Sequence, residues 1–146
     1  SSAPFGGSVT IGRALCRALC AALAPGLASA QSVISPETFL DEVLGKTVQF
    51  HEIRSGDLVG TEQFLNRKTS VWRVEGGGCV YGQITTPNGQ ICFLYDDDTD
   101  GIPVCWWPFE YQGRLMVRLA ELGNGEIQEV RSMTNYSLNC PSAPIS

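Results

Sequence analysis

The sequence predicts an all-β domain with one short N-terminal helix, an antiparallel meander of about eight strands that can close as a small barrel. Three observations carry that prediction. Beyond residue 46, apolar residues alternate with polar ones over short runs, the period-two pattern of strands with one buried face. Turn-forming Gly, Asn and Pro separate these runs at short intervals, which favours pairing each strand with the next. Only residues 35–45 carry helical spacing. The same pattern also fits a curled open sheet or two packed layers, so closure stays open at this level.

Residues 1–30 have the pattern of a secretory signal peptide. Arg13 and Arg17 precede the apolar run from Ala18 to Ala24, Pro25 and Gly26 break it, and Ala28, Ser29 and Ala30 form an A-x-A cleavage site. The run is too short and too broken to span a bilayer, so no transmembrane segment is expected after cleavage before Gln31. The domain is then 31–133, followed by a tail, 134–146, that Cys140 pins. Removing Arg13 and Arg17 leaves eight of the ten basic residues against fifteen acidic ones, a balance that disfavours nucleic acid and anionic membranes as partners. A periplasmic or secreted location follows from this reading.

The helix is framed by Ser35 as N-cap, Pro36 at the first helical position and Gly45 just past the end. Phe39, Leu40, Val43 and Leu44 make its apolar stripe, which is expected to close one end of a sheet or barrel. The strands follow as 47–53, 59–65, 70–74, 79–86, 90–95, 104–111, 114–121 and 126–133. Pro87, Asn88 and Gly89 give the strongest hairpin signal, because Asn-Gly tolerates left-handed dihedrals. Pro108 inside its run points to an edge or bulge. In 114–121, Leu115, Val117 and Leu119 alternate with Met116, Arg118 and Ala120.

Cys79, Cys92, Cys105 and Cys140 remain after cleavage, an even number that reads as two disulfides with three possible pairings. Cys92 with Cys105 is favoured, since both lie at the inner ends of adjacent strands around the acidic loop, and Cys79 with Cys140 then holds the tail. A zinc site built from all four cysteines is the rival, but short C-x-x-C pairs are missing.

Three features are candidates for chemistry. Asp96, Asp98 and Asp100, followed by Gly101, have the D-x-D-x-D-G opening of a calcium loop, yet Trp107 stands where the closing glutamate belongs and no flanking helices are apparent. Calcium is thus the one cofactor the residues suggest, against a solvated acidic turn. Trp72, Tyr81, Tyr95, Trp106, Trp107 and Tyr111 can line a ligand surface or form packed core. Trp106 and Trp107, being adjacent in an extended run, face opposite sides. His51, the one histidine, is the candidate for proton transfer, beside Glu52 and Arg54.

Neither G-x-S-x-G, H-E-x-x-H, a P-loop nor a dinucleotide fingerprint occurs. The expected function is an exported, non-enzymatic binding or envelope-associated module that takes a small apolar molecule or a protein partner. The alternatives are a small hydrolase-like enzyme built on His51 with an acidic neighbour, and a structural protein with a weak calcium loop.

Overall fold

The computed structural model describes residues 2–8, 12, 19–22, 30–121 and 125–142. Most of the segment read as a signal peptide, residues 122–124 and residues 143–146 lie outside the described residues. Within them the chain forms β1 (Ser32–Val33), α1 (Pro36–Val43), β2 (Thr47–Glu52), β3 (Leu58–Phe64), β4 (Thr69–Arg73), β5 (Val80–Thr85), β6 (Ile91–Tyr95), β7 (Val104–Tyr111), β8 (Arg114–Leu119) and β9 (Ile127–Thr134). Each of β2 to β8 pairs antiparallel with its successor, and β9 returns to pair with β2. The meander that the alternation and short turns predict is therefore a closed eight-stranded up-and-down barrel.

Alternation sorts the side chains. Val48, Phe50, Phe64, Ile84, Ile91, Phe93, Leu115 and Val117 project inward and form one core with Phe39, Leu40 and Val43 of α1. Ser35 caps the helix by accepting the Thr38 N–H at 3.0 Å, and Pro36 occupies the first turn as expected. Leu44 departs from the expected stripe. It is the C-cap, has left helical geometry and is 41% exposed, so the buried stripe consists of Phe39, Leu40 and Val43. Burying each of these three stabilises by roughly 1.5–3 kcal/mol. Gly45 N–H then donates to the Phe64 carbonyl at 2.9 Å, and Phe64 N–H to that of Lys46. The helix is thus tied across the end of the barrel where Phe39 meets Phe64 edge-on.

Pro108 is fully buried inside β7, opposite Val117 of β8, rather than on an open edge. Along the other side of β7, β6 pairs only with Val104 to Trp106, and β1 pairs with Phe109 and Glu110. Pro108 falls in the gap between them, where no ladder bond needs its missing N–H, and its carbonyl accepts from Ile34 at 3.3 Å. The expected hairpin at Pro87–Gly89 is a 3-10 turn, with Asn88 and Gly89 both at positive φ.

Two disulfides are present, Cys92–Cys105 and Cys79–Cys140. Cys92 and Cys105 are direct cross-strand partners of β6 and β7. The tail is held by more than Cys140. Thr47 Oγ1 donates to the Tyr136 carbonyl, Leu138 N–H donates to Gln63 Oε1 at 3.0 Å, Arg73 reaches the Leu138 carbonyl at 3.2 Å, and Tyr81 Oη donates to the Pro141 carbonyl. These contacts run in order across β2, β3, β4 and β5, strapping the outside of the wall where Val71 and Leu138 are both buried.

Replacing Cys79 and Cys140 together by Ser is expected to lower stability by about 4 kcal/mol, and replacing Cys92 and Cys105 by about 3 kcal/mol, as read from urea denaturation. The order follows from sequence separations of 61 and 13 residues. A smaller loss for the longer loop would show that the hydrogen-bonded strap holds without its bond.

Candidate functional site

α1 and the apolar core fill one half of the barrel interior; the other half is a cavity of about 340 Å³. Phe39 forms its floor, while Val59, Val104, Leu119, Glu121 and Glu126 line it at the strand ends opposite α1. That volume falls at the lower end of the roughly 300–1,000 Å³ of small-molecule sites.

The aromatic wall is continuous. Phe50 and Trp72 have ring centroids 6.4 Å apart, Trp72 and Tyr95 6.5 Å, and Tyr95 stacks on Phe93 at 5.9 Å. Two in-strand glycines make room for it. A Cβ at Gly60 would stand inside the Trp72 indole, and one at Gly82 would press on the Tyr95 ring at 2.9 Å. Small residues on β3 and β5 thus interdigitate with large ones on β4 and β6. The facing side is polar: Gln128 lines the cavity and donates to Glu126 Oε1 at 3.2 Å.

Glu62 is the one carboxyl group deep in this cavity among the described residues. It alternates with Gly60 and Phe64 on the inward face of β3 and is 1% exposed. Ser70 Oγ donates to Glu62 Oε1, and Tyr95 Oη lies 3.0 Å from Oε2 and 3.2 Å from Oε1. Desolvation outweighs these two donors and pushes the carboxyl up to about 8, so it holds a proton at neutral pH. Tyr95 is pushed above the usual phenol range, first by burial and then by the Glu62 charge. No sequence motif singles out Glu62, which reads there as one residue of a strand. The signal available is parity, since Glu62 shares its face with Gly60 and Phe64.

Parity also divides the aromatic candidates. Trp72, Tyr95 and Trp106 line the cavity. Tyr81, Trp107 and Tyr111 fall on the outer parity of β5 and β7: Tyr81 bonds the tail, Trp107 is 39% exposed, and Tyr111 meets Gln112. His51 is likewise outside, adjacent to inward Phe50, with Nδ1 3.0 Å from the Gly56 carbonyl. Its chain neighbour Glu52 accepts the Ser55 N–H at 2.6 Å within the turn, and its cross-strand partner Glu129 is engaged by Arg114 and Arg131 at 3.3 and 3.5 Å.

Asp96, Asp98 and Asp100 do not converge. Asp98 Oδ2 accepts the Tyr95 N–H at 3.4 Å, and Asp100 Oδ1 accepts the Ile102 N–H at 3.0 Å, so two of the three carboxylates turn back onto the loop's own amides. Among the described residues no three His, Cys, Asp or Glu side chains gather as a metal would require. In this geometry the D-x-D-x-D-G opening is an acidic turn capped on its own amides.

In comparisons with known proteins, no family model, curated protein or solved structure matches this chain, so the site is read from its own geometry.

Because the folded carboxyl of Glu62 titrates near 8 and an unfolded one near 4.5, folding takes up a proton between those values. Stability is then greatest below pH 4.5 as far as Glu62 is concerned, and falls as pH rises to 8, by at most about 1.4 kcal/mol per unit. Glu62→Gln removes this slope, which urea denaturation at pH 5 and pH 8 would reveal; parallel slopes in both proteins would refute it. Gly60→Ala displaces the Trp72 indole, costs about 1–3 kcal/mol and shifts the tryptophan emission.

Proposed function

We propose that the protein is an exported, non-enzymatic carrier or sensor that takes a small, largely apolar molecule into the open half of its barrel. The observation that carries this reading is the unfilled, aromatic-walled cavity with a single buried carboxyl at its depth. A barrel evolved only for stability gains by filling its interior, since an empty lining forfeits dispersion contacts. Here the glycines at 60 and 82 accommodate ring placement while the lumen stays open. Two disulfides favour an oxidising compartment, and the A-x-A pattern before Gln31 supports export to the periplasm or the medium. The hydrolase alternative has less support, because His51 faces away from the cavity and is bonded to a turn carbonyl.

The test is binding of N-phenyl-1-naphthylamine, an uncharged fluorescent probe that accepts energy from Trp72 and Trp106. Saturable binding at one site is expected. Leu119→Trp, which fills the mouth, should weaken it by about tenfold or more, equivalent to about 1.4 kcal/mol, without lowering the urea midpoint. Undiminished binding in that variant, or no binding at all, would sink the proposal.

A further inference from the structure

We infer that the occupant of the lumen is an organic cation, a small hydrophobic amine or quaternary ammonium, whose charged head lies against the Glu62 carboxylate within the aromatic wall. The inference rests on the lumen being a binding site and adds the sign of the ligand's charge.

The lining carries three carboxylic acids among the described residues, Glu62, Glu121 and Glu126, and no Lys, Arg or His. An anion entering this space would meet three carboxyl groups and no cationic side chain, and a neutral molecule would need none of them. Two rings flank the deepest carboxylate. Trp72 is the cross-strand partner of Glu62, and Tyr95 is hydrogen-bonded to it. Ring faces attract cations, most strongly where water is excluded, and a carboxylate beside them completes the recognition of an ammonium group. Phe93 and Val117 leave apolar surface for the rest of the molecule.

The approach to the cavity points the same way. The connections at the open end, whose described residues are 53–57, 74–79, 96–103, 120–121 and 125–126, hold eight Asp and Glu against one basic residue, Arg54. At the plugged end, α1 with 44–46 and 65–68 balances three acids against three bases. The field therefore draws cations to the mouth and not to the other end. This also supplies a use for the Asp96–Asp100 run that does not require it to hold a metal.

Arrival of a cation changes the protonation of Glu62. In the empty lumen the carboxyl is protonated at neutral pH; a positive head group favours the ionised form, so binding releases a proton to solvent. The groups that face Glu62 are Ser70 from β4 and Tyr95 from β6, with Gln128, Glu126 and Glu121 across the cavity from β9 and the β8–β9 connection. No Lys, Arg or His stands among them. Apparent affinity for a permanent cation should then rise about tenfold per pH unit up to about 8 and level off above it.

The experiment compares benzyltrimethylammonium with neopentylbenzene, its uncharged isostere, as competitors of N-phenyl-1-naphthylamine on the disulfide-bonded protein at pH 6 and pH 8.5. The cation is expected to compete at least about tenfold better than the isostere at pH 8.5. The advantage should shrink at pH 6, and calorimetry at pH 7 in two buffers of different ionisation enthalpy should report about one proton released. Glu62→Gln, with its fold checked by near-ultraviolet circular dichroism, should bring the two compounds within about twofold of each other. Should that variant fail to fold, the pH dependence of the wild-type ratio decides. An isostere that competes as well as the cation at pH 8.5 overturns the inference and leaves an apolar lumen. A lumen that admits neither compound nor the probe overturns the binding reading along with it.

Discussion

Pairing of β9 back onto β2, from Thr47 opposite Thr134 to Glu52 opposite Gln128, governs every other feature of the molecule. It converts a meander with two open edges into a continuous wall and leaves no long strand edge free to recruit another chain. Closure also commits every second residue of eight strands to an enclosed interior. That interior must be filled by side chains, by a plug or by a ligand.

Side chains and the plug share one end of the barrel, and a cavity takes up the other. At one end the branched and aromatic core meets α1, and the helix enters through its Phe39, Leu40 and Val43 stripe. Toward the other end the inward positions become Gly60, Glu62, Ser70 and Gly82, residues too small or too polar to fill the space. Large rings from β4 and β6 lean into the room that the glycines leave. Glu62 then sits in a dry setting whose desolvation outweighs its two hydrogen-bond donors, which explains why its carboxyl keeps a proton far above the usual carboxylate range. A polar group so placed costs stability unless it is satisfied, and in this protein it is satisfied in full. On the proposed reading, the group whose charged form this setting destabilises is the one that an arriving cation would neutralise.

The strap formed by 136–141 serves the wall from outside. It binds side chains of four consecutive strands, covers Val71 and ends in the Cys79–Cys140 bond at the start of β5. The strands it crosses, β3 to β5, carry Gly60, Glu62, Ser70 and Gly82, the least well filled part of the interior. An external brace there offsets weak packing within.

The class of the fold, the position of the helix, the succession of strands from β2 to β9 and the Cys92–Cys105 pairing were all legible in the chain alone, because each of these is a local matter, whereas the two-residue β1 carries no such local signal. Capping at Ser35, alternation along a strand, Asn-Gly at a turn and two cysteines near facing strand ends act over a few residues. Closure was not legible there, since the β2–β9 pairing joins residues from opposite ends of the domain and an open sheet has the same alternation. Nor was the face on which each residue falls. Parity relates neighbours within one strand, but only the closed barrel says which parity is inside, and so sends Trp106 to the lumen, Trp107 outward, His51 to the outer surface and Glu62 into a dry cavity. A carboxylate in a strand reads as solvated in one dimension; whether water reaches it is decided by what the fold brings around it.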